Sequence, residues 1–257
     1  MSKKYKTFIA VGDNHGHYVD LHAQQALESF LKKNPCDIRI HLGDLNDFGA
    51  WRTGSSKADQ EEGTDADLKA GREFLRILRP TVFHYGNHDK RALEQMESRV
   101  GDTAECAERA VRNVLDSLDA VGCREIYSYK VIGPKKRDVN LHRHGKLVTT
   151  HGFNAGMNAT RNTAAKLGRP GDVVIHGHTH DFHLVTIEHL EAPIVGVSAM
   201  CMMNVDLADY ALTRPATTRW TNGWAYGVIE ERTGLCKVWT AHKFSGKFVI
   251  TTGFELL

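Results

Sequence analysis

The sequence predicts a mixed α/β fold in which two β-sheets pack together with helices on the outside. Three observations carry that prediction. In the first half, short apolar runs alternate with stretches of helical periodicity. In the second half, short β-runs follow one another between turn signals. Five of the strand-like runs stop at turns that carry Asp, Asn or His, so the strand ends hold the side chains with chemistry.

Taken in order, residues 7–11 form an apolar run that stops at Gly12-Asp13. Leu21, Ala23, Ala26, Leu27, Phe30 and Leu31 then recur at the spacing of one helix face. Ile38, Ile40 and Leu42 alternate as a strand and stop at Gly43-Asp44. A helix is predicted over 66–78, a strand over 81–85 ending at Gly86-Asn87, and a long amphipathic helix over 107–118. The middle reads as strands over 126–132, 139–142 and 147–150, a helix over 155–167 and a buried strand over 173–175. Strands are then predicted over 182–187, 194–197, 224–230, 235–240 and 247–252, with Gly133-Pro134 and Thr233-Gly234 as turns. Residues 48–64 are polar and glycine-bearing and are read as an insertion over the site. The whole chain, 1–257, is read as one domain.

Composition sets the outer bounds. The chain is 41% hydrophobic and 25% charged, ordinary for a protein with a full core. A formal charge of +2 neither announces a nucleic-acid binder nor excludes a local basic groove. Fifteen histidines direct attention to metal chemistry. The five cysteines form no CxxC pair and are odd in number, which is read as free thiols in a reducing compartment. Apolar residues 8–11 are too few for a signal-peptide core, and no run approaches a membrane span. A soluble cytoplasmic protein is the expectation.

Five motifs carry the functional reading. They are Asp13-Asn14-His15, Gly43-Asp44-Leu45-Asn46-Asp47, Gly86-Asn87-His88-Asp89, His151-Gly152 and Gly177-His178-Thr179-His180. Any one of them alone reads as an ordinary turn, a helix cap or a surface strand. Five in succession, each at a strand end, point to one shared site. Asp, His and Asn form a mixed oxygen and nitrogen ligand set, suited to Mn, Fe or Zn more than to Ca or Mg. Seven such groups suit two metals with one bridging carboxylate, about 3.5–4 Å apart, which together clamp a phosphate and activate a water.

With these motifs the chain resembles the calcineurin-like metallophosphoesterases, whose pattern is DxH, GDxxD, GNH(D/E), H and GHxH in this order. The match runs from Asp13 to His180, about two-thirds of the chain. The resemblance implies a four-layer α-β-β-α sandwich. It implies that Asp13, His15 and His180 hold one metal, that Asn87, His151 and His178 hold the other, and that Asp44 bridges them. Two divalent ions are implied, Mn2+ first, with Fe, Zn, Ni or Mg as alternatives. Relatives also lead one to expect a homodimer.

His88 stands beside Asn87, so it must lie near the second metal and is the candidate proton donor to the leaving alkoxide. The resemblance implies that Asp47 orients it; Asp89 is the alternative. His17, Trp51 and Arg52 are candidate substrate contacts, the tryptophan by stacking on a base and the arginine by gripping phosphate. His41 and His84, inside strands, are read as core or supporting residues. His142 and His144 alternate on a strand without an evident carboxylate and are not read as a metal site.

Substrate is less sharply written. Ser/Thr protein phosphatases of this superfamily carry arginines where this chain has Phe48 and Tyr85, which argues against that branch. The pattern looks closer to cyclic-nucleotide phosphodiesterases, repair nucleases and uncharacterised phage and bacterial phosphoesterases. A basic stretch of Lys130, Lys135, Lys136, Arg137, Arg143 and Lys146 could meet a nucleic-acid backbone, or it is a solvated hairpin. The expected function is therefore a two-metal phosphodiesterase acting on nucleotides or nucleic acid. The alternatives are a phosphomonoesterase of small molecules or proteins and a non-catalytic metal-binding scaffold.

Overall fold

In the computed structural model, β1 (Tyr5–Val11) is the central strand of a seven-stranded sheet. Residues 4–130, 140–207 and 215–250 are described. The strand is buried on both faces because its alternate side chains serve two different cores. Ile9 and Val11 point one way, and Phe8 and Ala10 the other.

The first half builds outward from β1 by crossover helices. The chain runs through α1 (Leu21–Lys33), β2 (Ile38–His41), α2 (Lys57–Glu62), α3 (Asp65–Leu78) and β3 (Val82–His84). It continues through α4 (Asp89–Ser98), α5 (Asp102–Ala120) and β4 (Glu125–Tyr127). β1, β2, β3 and β4 pair in parallel. One face of this sheet is covered by Leu27 and Phe30 of α1, Phe74 and Leu78 of α3, and Val114 and Leu118 of α5.

The second half supplies the other sheet and an antiparallel extension of the first. β5 (His142–His144), β6 (Leu147–Thr150) and β7 (Val173–His176) are followed by β8 (Phe182–Ile187) and β9 (Ile194–Ala199), with α6 (Ala159–Leu167) between β6 and β7. These strands form a five-stranded sheet in the order β5-β6-β7-β9-β8. β10 (Gly223–Glu230), β11 (Cys236–Phe244) and β12 (Lys247–Val249) extend the first sheet beyond β1.

The sheets meet through Phe8, Ala10, Ile40 and Leu42 on one side and Leu147, Val173, Ile175 and Val197 on the other. Ala164 of α6 packs with Val148 and Val174 on the outer face of the second sheet. The order of layers is helix, sheet, sheet, helix, so the predicted α/β sandwich of two mixed sheets is the observed architecture.

Sequence periodicity located most elements but missed two helices. α2 has no apolar face; it lies inside the segment read as an insertion and is set by a capping box between Ser56 and Asp59. α4 contributes only Ala92 to the fully buried core, and its sparse apolar pattern gave no signal. The strand read over 126–132 ends at Tyr127, and several readings fall outside the described residues: the last two positions of 126–132, the start of 139–142, the turn Gly133-Pro134, the end of 247–252, and Lys135, Lys136 and Arg137. All five cysteines are free thiols. No helix among the described residues is long and apolar enough to cross a membrane.

The sheet is packed too closely at Gly227 for any side chain. A Cβ there would collide with the carbonyl oxygen of Lys237 on β11 and lie 2.7 Å from the Phe8 ring. Gly227→Ala is expected to lower stability by about 1–3 kcal/mol. Urea denaturation checks this, and an unchanged midpoint would contradict the packing between β1, β10 and β11.

Candidate metal centre

The motif residues sit just past the carboxyl ends of β1, β2, β3, β6 and β7. These strands pair in parallel within their own sheets, so their ends open toward one crevice. Backbone hydrogen bonds lace the turns together. Asp13 N–H donates to Gly43 O (2.9 Å), His15 N–H to Asp44 O (3.0 Å), and Gly16 N–H to Leu45 O (2.8 Å). His178 N–H donates to the Asp13 carboxylate and His88 N–H to Asp44 Oδ1 (2.8 Å), which ties in the fifth and third motifs.

Five of the seven predicted donors, Asp13, His15, Asp44, His178 and His180, adopt left-handed backbone with φ between 49° and 71°. Non-glycine residues rarely do so, and the surrounding hydrogen bonds hold them there. At Gly86 glycine is required for a different reason: a Cβ would overlap the Asp44 carboxylate.

The structure brings all seven predicted donors together. Asp13, His15, Asp44 and His180 form one group and Asp44, His151 and His178 a second, with ligand atoms in each within 4.8 Å of one another. Asn87 joins the second group, its Oδ1 lying 2.9 Å from His151 Nε2 and 2.7 Å from His178 Nδ1. Asp44 belongs to both groups.

The donor set fits cations. His151 Nδ1–H donates to Leu42 O (2.9 Å), so in a neutral ring Nε2 carries a lone pair, and that lone pair faces the Asn87 oxygen. His15 Nδ1–H donates to Asp47 Oδ1 (2.9 Å), so its Nε2 lone pair faces His180 Nε2 at 3.2 Å and Asp44 Oδ2 at 3.8 Å. In the second group the His151 lone pair opposes the Asn87 oxygen, and in the first the His15 lone pair faces the Asp44 carboxylate, an arrangement that a positive ion satisfies. Protonating the rings is disfavoured. Burial and then His151 push His178 down to about 3, and burial and then His88 lower His15. Burial would raise Asp44, but the histidines around it, His151 foremost, hold it below the ordinary carboxylate range.

His88 lines the cavity above these donors. Its Nδ1–H donates to Asp47 Oδ1 at 2.7 Å, and Asp47 is thus shared between His15 and His88. Burial opposes the charged imidazolium, yet Asp44 and Asp47 outweigh it, and the His88 pKa lies above its ordinary value. Asp89, the alternative partner, does something else. Its carboxylate accepts Gly86 N–H (3.0 Å), Asn46 N–H (3.1 Å) and Leu45 N–H (3.2 Å), clamping the second motif to the third.

Three predicted substrate contacts lie elsewhere. Trp51 stacks on Phe48, with ring centroids 5.1 Å apart, and Arg52 pairs with Asp59 at 2.8 Å. Both line a separate cavity with Gln95 and Arg99. Proximity to the second motif along the chain is not proximity in space here, because Phe48 turns the chain through left-handed backbone (φ 49°). His17 is held by Asp67 Oδ1 (2.9 Å) and does not line the cavity. His142 and His144 each face a carboxylate the sequence gave no hint of, Glu125 at 3.3 Å and Glu231 at 2.9 Å, and neither joins a metal-type group among the described residues.

Sequence reasoning also missed several residues. Buried Asp67 accepts Phe48 N–H (2.7 Å) and anchors the turn that carries Asp47. Asn140 Oδ1 accepts His151 N–H (2.7 Å) while its Nδ2 donates to Tyr85 O (3.0 Å). Arg91, one helical turn after His88, donates to Asp47 O and places Nη2 3.3 Å from His88 Nε2. The cavity wall includes Thr217, Arg219 and Trp220. Only Arg91 had a signal, its i+3 spacing from His88 on a helix.

A family model described as calcineurin-like phosphoesterase matches residues 6–182, and the chain belongs to that family. It is a metal-dependent phosphoester hydrolase by that membership. The Gene 54 protein of Mycobacterium phage D29 is 26% identical over an alignment of 238 positions that covers 88% of this chain and 89% of that protein. Among solved structures, a predicted phosphoesterase of Streptococcus pneumoniae is 12% identical and covers 93% of this chain and 99% of its own, with a TM-score of 0.33. A phosphatase of Mycoplasma pneumoniae is 10% identical and covers 94% of each chain, with a TM-score of 0.43.

Asp89→Ala would strand three buried backbone donors at once. With about 1–3 kcal/mol lost for each unsatisfied group, it is expected to destabilise the fold by more than about 2 kcal/mol. Thermal and urea unfolding check this, and a loss of activity without a loss of stability would assign Asp89 a different role.

Proposed function

We propose that the chain is a two-metal phosphodiesterase acting on nucleotides or nucleic acid. The observation that supports it most directly is the sharing of Asp44 between two donor groups whose lone pairs converge. On this reading Asp13, His15 and His180 with Asp44 hold one cation, and Asn87, His151 and His178 with Asp44 hold the other. Mn2+ heads the candidates because the shell mixes nitrogen and oxygen. Divalent ions bound there neutralise phosphate oxygens and make a water nucleophilic near neutral pH.

The chain's own groups do the rest. A phosphoester seated in the cavity meets His88, and the Asp47 carboxylate fixes that ring by accepting from Nδ1, which leaves Nε2, 3.3 Å from Arg91 Nη2, as the nitrogen that serves the leaving oxygen. Protonated at Nε2, His88 donates to the departing alkoxide. Arg91 adds a fixed positive charge beside it. The cavity measures about 270 Å3, at the small end for ligand sites, which favours one nucleotide unit in the pocket at a time.

A panel of an aryl monoester, an aryl diester, cyclic nucleotides and single- and double-stranded DNA and RNA, each with added Mn2+, tests the assignment. Diesters are expected to turn over faster than the monoester, chelation to abolish turnover, and Asp44→Asn to remove it. Faster monoester turnover would make the protein a phosphatase, and none on any substrate would make it a scaffold. His88→Ala is expected to cut rates about 10²–10⁴-fold on alkoxide leaving groups and much less on nitrophenoxide. Equal losses on both would remove His88 as the acid.

A further inference from the structure

We infer that Trp220 and Arg219 form a nucleoside-binding subsite beside the metal-type donors, so that the substrate is an ester of a base-bearing nucleotide. The inference rests on the phosphodiesterase reading above and names the part of the substrate that reading leaves open.

The Trp220 ring sits edge-on to His180, with centroids 4.2 Å apart at 64°, within one ring's width of the donor cluster. Its backbone is fixed there. Asp181 and Trp220 form an antiparallel bridge, and Thr221 N–H donates to His180 O at 2.9 Å. Trp220 also packs against the buried pair Cys201 and Met203, with Tyr18 and Val205 in the same cluster. The indole is therefore a rigid, half-buried platform that lines the cavity containing Asp44, Asn87, His88 and His178. A Trp at the mouth of a polar cavity, held by core packing on one side and open to the cavity on another, suits stacking on a base.

Arg219 precedes it and lines the same cavity. Its side chain is 43% exposed and reaches Asp181 only at 3.9 Å, so the guanidinium retains donors for a phosphate oxygen. Ala155 and Gly156 also line the cavity, and a Cβ added at Gly156 would meet nothing within 4 Å, which leaves space for a flat group. A planar stacking surface, a phosphate-directed cation and small wall residues thus meet next to the position where the ester phosphorus would lie. That combination recognises a base and a phosphate together, and a simple alkyl or sugar ester uses only part of it.

The test compares two esters with the same leaving group, thymidine 5′-(4-nitrophenyl) phosphate and methyl 4-nitrophenyl phosphate, on the full chain supplied with Mn2+. The wild type is expected to prefer the nucleoside ester in kcat/KM. Trp220→Ala is expected to reduce that preference about ten-fold or more through KM, and Trp220→Phe to retain most of it. Arg219→Ala is expected to raise KM for both esters. A second readout needs no turnover: calorimetry on the chelator-treated protein, with AMP and ribose 5-phosphate as probes, should show tighter binding of AMP that Trp220→Ala abolishes.

Equal kcat/KM for the two esters in the wild type, or an unchanged ratio in Trp220→Ala, overturns the subsite while leaving the hydrolase intact. Preference lost equally in Trp220→Phe and Trp220→Ala also overturns it, because support of His180 would then explain the effect. AMP binding that depends on Trp220, in a protein that cleaves neither ester, upholds the subsite and sinks the phosphodiesterase reading instead.

Discussion

The organising constraint in this protein is electrostatic: buried acceptors point at one another. In a neutral ring His151 Nε2 faces Asn87 Oδ1, and His15 Nε2 faces His180 Nε2, with the Asp44 carboxylate between the two groups. Such a cluster carries negative charge and unshared lone pairs in a region nearly closed to water. Unpaired, such a cluster costs free energy on folding, and a bound cation would offset that cost. The hydrogen bonds made by the far sides of the rings, to Leu42 O and to Asp47, decide which nitrogen bears the proton and so aim the lone pairs inward.

The fold is arranged to tolerate that cluster. Both sheets deliver donors from the carboxyl ends of parallel strands, and the strands are packed by ordinary aliphatic contacts well away from the charge. Left-handed backbone at five donors turns side chains inward where extended chain would carry them past the centre. Neutral buried histidines support the turns. His41 Nε2–H donates to Asn14 Oδ1 at 2.9 Å while its Nδ1 accepts Gly43 N–H at 3.1 Å, and burial pushes its pKa down to about 3. His176, on β7, has its Nε2 3.0 Å from the Thr160 hydroxyl on α6, the outer helix of its own sheet.

How much of this was legible in the sequence depended on whether the signal was local. Strand, turn and ligand type fall within a few residues at Asp13, Asp44, Asn87, His151 and His178, so the donor set could be read directly. The layered fold followed from helical crossovers early and β-runs late. Residues whose roles come from long-range contacts had no such signature. Trp220 is forty positions beyond His180 in a motif-free segment, and long-range contacts, the bridge to Asp181 and the bond from Thr221 to His180, bring it to the cavity. Asn140 precedes β5 and acts on the end of β6. Trp51 and Arg52 failed in the opposite way: they are near Asp47 in the chain, but a left-handed turn and α2 carry them to a different surface.

Charge at the site shows the same limit. Counting cations by motif position found none, since Phe48 and Tyr85 occupy the places where protein phosphatases of this family carry arginine. The structure supplies one by helical geometry. α4 starts at Asp89, so Arg91 lies on the first turn and folds back onto Asp47 O and toward His88 Nε2. The side chain is 15% exposed and lies 3.5 Å from Asp47 Oδ2, so its charge is fixed and poorly screened. Because it belongs to the helix that leaves the third motif, its position is set by the same turn that sets Asn87 and His88. Asn87, the His88 ring and the Arg91 cation are therefore placed by one short segment.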